Sequence, residues 1–171
     1  MVCCLTAYER RNVGADSAVV IEPKKVPIPR WTVKLFWRMH RMVYRLSRGR
    51  FGLRTPTTDQ YGMMQLRTVG RKSGEERRVI LAYFEDGADL IVIPMNGWAD
   101  PEPAWWLNLQ AQPEAAVDMP GETRNVRARI ANPEERVRLW KIAAEGTWGS
   151  DMDNYAAARK RETQVVILEP R

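Results

Sequence analysis

Five consecutive residues, Gly70-Arg71-Lys72-Ser73-Gly74, set two cations and a hydroxyl between two glycines, and Arg77 follows soon after. Glycines adopt positive φ readily, so successive backbone N–H groups can converge on an anion while Arg71, Lys72 and Ser73 add charge and directed donors. Arg77, at the start of the next apolar run, has the forked guanidinium that binds phosphate or carboxylate through paired hydrogen bonds. The same stretch also reads as a solvated hairpin turn, and it lacks the length and following helix of a phosphate-binding P-loop. A second group is Pro103-Ala104-Trp105-Trp106-Leu107-Asn108-Leu109-Gln110. Helical neighbours point about 100° apart, so Trp105 and Trp106 are expected to divide, one sealing the core and the other facing a cleft. Asn108 offers both donors and an acceptor, and its amide is costly to bury without partners.

Absences narrow the chemistry. The single histidine, His40, lies in a basic segment, which argues against Ser-His-Asp and Cys-His hydrolases and against a His-rich metal site. No Gly-x-Gly-x-x-Gly opens a strand-helix unit. An enzyme with this inventory needs a bound organic cofactor for the hard chemistry. Cys3 and Cys4 are adjacent near the N-terminus and read as reduced thiols, as in a cytosolic protein. Glu9, Arg10, Arg11 and Asp16 interrupt any apolar signal core, and no run is long enough to span a bilayer. The expected location is the cytoplasm.

The net charge of +6 is unevenly distributed: seven of the 27 basic residues and none of the 21 acidic ones lie between Arg30 and Arg50. A nucleic-acid binder spreads its cations over a folded face, so no nucleic-acid partner is expected. Instead Trp31, Leu35, Met39, Met42 and Leu46 recur at helical spacing beside a stripe of Lys34, Arg38, Arg41, Arg45 and Arg48, which predicts a basic amphipathic helix over 31–48. Two placements are open to it: over the barrel described next, or on an anionic membrane surface at the inner face of the cell membrane. Residues 1–29, ending in three prolines, read as a tail, and 30–171 as one domain.

The elements that must position the candidate residues are mostly strands. Residues 61–69, 77–85, 89–95, 114–119, 123–131 and 163–170 are short and rich in aliphatic or aromatic side chains, with turn residues between the paired runs. A short helix is predicted around Trp105–Leu109. A second starts at Asn132-Pro133-Glu134-Glu135, with Asn132 as N-cap, and a third is expected around Tyr155–Arg161. Six strands without strand-helix-strand alternation predict a mainly β (α+β) fold, a small antiparallel barrel with helices on its rim.

The ordered set Thr68-Val69-Gly70-Arg71-Lys72-Ser73-Gly74, Arg77, Trp105-Trp106-Leu107-Asn108-Leu109, Asn154-Tyr155 and the terminal Val165-Val166-Ile167-Leu168-Glu169-Pro170 resembles the deazaflavin-dependent nitroreductase family and the related F420H2-dependent quinone reductases of actinobacteria. The resemblance spans roughly Leu46 to Arg171. It implies a flavin-binding split β-barrel and coenzyme F420, with FMN as the alternative. It further implies that Arg71, Lys72, Ser73 and Arg77 hold the cofactor's phosphate and acidic tail, that Trp105 and Asn108 line its site, and that Tyr155 faces the substrate. Asn96 and Gly97 lie in the segment Met95-Asn96-Gly97-Trp98, where relatives often carry Ser-Lys-Gly-Gly, so a cationic contact is replaced and a bulky ring added. Gly149 and Met152 stand where the nitroreductase has further tyrosines, which argues against nitro-drug reduction in particular. The implied activity is hydride transfer from reduced F420 to a lipophilic acceptor, a quinone, an enone or a nitro compound, by a monomer or homodimer. A non-catalytic carrier of deazaflavin, flavin or a lipophilic ligand is the alternative.

Overall fold

Alternation starts the barrel. Strand β1 (Gly62–Val69) turns Met64, Leu66 and Thr68 to the interior, and β2 (Glu76–Asp86) pairs with it antiparallel from Val69↔Glu76 to Gly62↔Tyr83. The computed structural model describes residues 52–58, 60–145 and 151–171. The expected tail, the basic helix over 31–48 and Gly149 lie outside the described residues.

Strand β3 (Asp89–Val92) follows a tight turn, β4 (Glu114–Met119) and β5 (Glu122–Ile130) form a hairpin, and β6 (Val166–Pro170) ends the fold. The strands close in the order β1-β2-β3-β6-β5-β4, every neighbour antiparallel. The last strand therefore enters between β3 and β5. The mainly antiparallel barrel expected from the sequence is the fold observed. Strand β3 stops at Val92 instead of running to Met95, because Pro94 has no N–H to give the ladder.

Among the described residues, three α-helices pack around the barrel. Helix α1 (Ala104–Ala111) sends Trp105, Trp106 and Leu109 into the interior core with Met64, Leu66 and Val117. Helix α2 (Pro133–Glu145) lays Leu139 against Ile91 and Ile167, on the outer side of β3 and β6. Those two strands are thus buried on both faces, which explains why Leu90-Ile91-Val92 and Val165-Val166-Ile167-Leu168 are continuous apolar runs. Helix α3 (Met152–Ala157) packs Met152 with Ile93 and Ala143. It begins three residues earlier than expected. The Arg159 N–H bonds the Ala156 carbonyl at 3.1 Å, beyond the helix end, and the Arg159 side chain turns into the interior.

The start of α2 is a reciprocal cap. Asn132 Oδ1 accepts the Glu135 N–H at 2.9 Å, and Glu135 Oε2 accepts the Asn132 N–H at 2.8 Å. Arg129 on β5 then grips Glu135 through two bonds, at 2.7 and 2.8 Å, and reaches Glu169 on β6 at 2.6 Å. The Arg129 guanidinium, with the Asn132 N–H second, holds the Glu135 carboxyl down to about 2 from its ordinary 4.5. Asp86, bound by Arg138 at 2.8 and 2.7 Å, is lowered by that hydrogen bonding too. Folding favours the ionised form of both groups, so their contribution is complete above the unfolded carboxylate range and is lost as pH falls through the folded values. The urea midpoint is expected to fall as pH drops from about 4.5 toward about 2. Glu135→Gln should flatten that slope while leaving the Asp86 share; a variant with the wild-type slope would contradict the assignment.

Candidate cofactor-binding site

The turn between β1 and β2 is held by its own backbone. Gly70 donates to the Glu75 carbonyl at 2.8 Å, and the Gly70 carbonyl accepts the N–H groups of Ser73 and Gly74 at 3.1 and 2.7 Å. Gly74 has a φ of 70°, the left-handed region. A Cβ on Gly70 would lie 2.9 Å from Ser73 Oγ and 3.2 Å from the Glu75 carbonyl oxygen, so the turn closes this tightly only around glycine. The Arg71 N–H is taken by Asn108 Oδ1 at 3.2 Å. Four backbone donors are thereby used inside the protein, so the expected nest of converging N–H groups is not what the turn presents. Its exposed cations are what it offers an anion.

Those cations are in different states. Lys72 makes no hydrogen bond or ion pair with a described residue, and Arg71 meets no carboxylate among them. Arg77 Nη2 donates to Ser73 Oγ at 3.1 Å and to Glu75 Oε2 at 2.9 Å. The Arg77 and Glu75 side chains are 55% and 69% exposed, so this pair contributes little to stability and an incoming anion can replace Glu75 at small cost.

Asn108 connects the turn to the core. It is 5% exposed. Its Oδ1 accepts from the Arg71 N–H and, at 3.4 Å, from Arg71 Nη1, while its Nδ2 donates to Thr68 Oγ1 at 3.1 Å. The partners that a buried amide requires are therefore the turn and the strand leading into it. Thr68 was absent from the sequence-derived candidates; its signal was a hydroxyl at an inward position of β1, in step with Met64 and Leu66. The division expected of the tryptophans is not observed. Trp105 and Trp106 are 8% and 3% exposed, with ring centroids 6.3 Å apart and planes tilted by 57°, both in the interior core.

A second group forms beyond β3. Asn96, Gly97 and Trp98 have φ of 48°, 62° and 62°, a left-handed run that non-glycine side chains adopt only where surrounding contacts enforce it. Asn96 Nδ2 donates to the Pro101 carbonyl at 2.6 Å, and Trp98 donates its N–H to Met95 at 2.7 Å. The Trp98 ring stacks on Tyr155 of α3, with centroids 5.8 Å apart and an interplanar angle of 28°. Met152 does not join this surface; it is buried in the core beneath it. The structure thus unites Arg71 with Asn108, Ser73 with Arg77, and Trp98 with Tyr155. Among the described residues, no hydrogen bond or ring contact links Tyr155 to the turn.

Strands β1 and β4 pair only through Gln65–Arg67 opposite Asp118–Ala116, and where they part a groove of about 710 Å³ opens. Thr68 and Val69, which lead into the Gly70 turn, form part of its wall. Its charges are largely matched internally, Arg67 with Asp118 at 3.3 Å and Arg171 with Glu114 at 4.0 Å. Arg71 and Lys72, on the turn that follows Val69, have no carboxylate partner among the described residues. No cluster of potential metal ligands occurs among the described residues.

The sequence pattern of the F420H(2)-dependent quinone reductase family matches residues 36–170. An F420H(2)-dependent quinone reductase of Mycobacterium tuberculosis is 29% identical over 136 residues, spanning 78% of this chain and 89% of the relative. Among solved structures, an F420-H2-dependent reductase is similar with a TM-score of 0.56 and 28% identity, over 63% of this chain and 93% of its own. A chain described as a domain-swapped dimer is similar with a TM-score of 0.59 and 25% identity, over 81% of this chain and 98% of its own. The residues present suit the cofactor named by the family and by both reductases: a phosphate and acidic tail calls for cations without internal carboxylates, and Arg71 and Lys72 are such cations. The chain belongs to the F420H(2)-dependent quinone reductase family, and is an F420-dependent oxidoreductase on an antiparallel barrel.

Proposed function

We propose that the chain reduces a lipophilic acceptor of the quinone class, with enones and nitro compounds as further acceptors. The observation that carries this reading is the pair Arg71 and Lys72, cations without carboxylate partners among the described residues, on a turn anchored by a buried amide. Bound there, F420H2 supplies the hydride. Lys72 and Arg71 bind the anionic tail, Ser73 offers its hydroxyl, and Arg77 exchanges Glu75 for tail oxygens. Asn96 and Gly97, both exposed, border the ring end; Asn96 has committed one amide hydrogen to Pro101 and keeps its carbonyl free for a polar ring edge.

Quinone reduction to a hydroquinone takes one hydride and one proton. Tyr155 is read as the group that orients the acceptor oxygen and donates a hydrogen bond where that proton arrives. Trp98 beside it supplies an apolar plane suited to a flat acceptor. Trp105 acts from the core, backing the wall of the site instead of touching the ring. The basic segment 31–48 is read as a contact with an anionic membrane surface, where lipid-soluble quinones are found. No helix among the described residues is long and apolar enough to cross a membrane. The relative described as a domain-swapped dimer makes a homodimer the assembly to test, by light scattering of the full chain.

The direct assay is oxidation of F420H2 with a panel of quinones, followed by recovery of the deazaflavin absorbance; consumption no faster than without acceptor, across the panel, refutes the reductase reading. Lys72→Ala removes a charged hydrogen bond of about 1.5–3 kcal/mol, so F420 affinity should fall roughly 10- to 150-fold with the thermal midpoint unchanged. Unchanged affinity would remove this turn from the site. Asn108→Ala leaves the Arg71 N–H and Thr68 without their partner and should destabilise the protein by about 1–3 kcal/mol, measured by urea unfolding, besides weakening F420 binding. Asn108→Asp keeps the acceptor for Arg71 and should retain more affinity than the alanine variant; the reverse order would show that the added negative charge beside the turn outweighs the acceptor it keeps.

A further inference from the structure

Two residues beyond α3, the Arg159 side chain is fully buried. Its Nη1 donates to Thr163 Oγ1 at 2.8 Å and to the Pro94 carbonyl at 3.3 Å, while Nη2 faces Glu102 Oε1 at 3.6 Å, with Glu102 only 10% exposed. Arg159 Nε and Nη2 and Glu102 Oε2 complete no hydrogen bond. The next residue, Lys160, donates its N–H to Asp100 Oδ1 at 2.7 Å. Residues 159 and 160 therefore grip Pro94, Asp100 and Glu102, the two ends and middle of the segment that carries Asn96, Gly97 and Trp98.

A buried ion pair with incomplete hydrogen bonding contributes little net stability, and apolar residues of similar volume often serve packing as well or better. The pair must be judged by what it positions. Trp98 holds a left-handed backbone conformation that needs external contacts, and its ring stacks on Tyr155 of α3, four residues before Arg159, which lies just past the end of that helix. We propose that Arg159, through Glu102 and the Pro94 carbonyl, is a positioning residue that clamps the post-β3 loop to α3 and so fixes the Trp98–Tyr155 stack at the acceptor end of the site. This rests on the reading of Tyr155 as acceptor-facing. Arg159 touches neither acceptor nor cofactor in this role; it sets the spacing and angle of the two rings that do meet the acceptor.

The test compares Arg159→Met, the double variant Arg159→Met/Glu102→Leu and Arg159→Lys in the full chain. Arg159→Met strands the Glu102 carboxylate and should lower the thermal midpoint. The double variant removes both buried charges and should recover the midpoint. It should still exchange amide hydrogens about tenfold faster in peptides covering 94–102 and 152–163, with barrel peptides unchanged. Its KM for a short-chain quinone should rise about tenfold while the F420 dissociation constant, read by deazaflavin fluorescence, stays within about twofold, since the loss is of one charged contact away from the turn. Arg159→Lys, which keeps a cation beside Glu102, should recover part of the KM. Recovery of the midpoint, exchange and KM together in the double variant would reduce the pair to a structural role and overturn the proposal. Wild-type exchange in the two segments would overturn it as well, whether or not any quinone is turned over. Faster exchange with an unchanged KM would keep the clamp but take the stack out of the acceptor site, overturning the Tyr155 reading and this proposal's acceptor end with it.

Discussion

Closure of the barrel by its last strand is the constraint on which the other features depend. Strands β1 to β3 and the β4–β5 hairpin are local pairings, yet β3 and β5 would both be open edges without β6 between them. Inserting Val166–Leu168 there buries a run of apolar side chains on both faces, the inner against the barrel core and the outer against α2. Arg129 joins β5 to β6 and to the cap of α2, so the closing strand is also tied to the helix that covers it. With the barrel shut, the end of β1 and the start of β2 have fixed positions, and the Gly70 turn projects from a rigid rim.

On that rim, one amide ties the turn to the core. Asn108 reaches from α1 to Thr68 and Arg71 because Trp105, Trp106 and Leu109 anchor the helix in the core. Burying those rings holds the helix; the helix holds the amide; the amide takes the Arg71 N–H and one guanidinium N–H, while Arg71 and Lys72 stay exposed. The arrangement separates the apolar demands of folding from the electrostatic demands of binding. Anion recognition by side chains at an exposed turn is sensitive to salt and adaptable in geometry, which suits an extended acidic tail better than a tight single-phosphate cradle.

Much of this was legible in the sequence. Each strand coincides with one of the expected runs to within three residues at either end, and the cap of α2 was spelled out by Asn132, Pro133 and Glu135. The turn was recognisable by its glycines, although the use of all its backbone N–H groups was not, because the partners of Gly70 and Arg71, Glu75 and Asn108, depend on how the strands and α1 meet. Trp105 illustrates the same limit: helical spacing predicts that neighbouring rings diverge, but α1 is set deep enough for both to be covered. Thr68 reads as an ordinary strand residue until a helix side chain arrives opposite it. Arg159 and Glu102 are separated by 57 residues and look like surface charges; only the return of the chain past the post-β3 loop buries them together. Long-range polar pairs of this kind leave no periodic trace.

The central claim is that the Gly70 turn recognises the anionic tail of F420, with ring contacts secondary in affinity. The most direct measurement is a fluorescence titration of the wild-type protein with F420 and with the same deazaflavin chromophore lacking the phosphate and acidic tail, at low and high salt. The account predicts that the tailed cofactor binds at least about tenfold more tightly at low salt, and that the gap narrows as salt screens the turn's cations. Equal affinity for the two at low salt would contradict it.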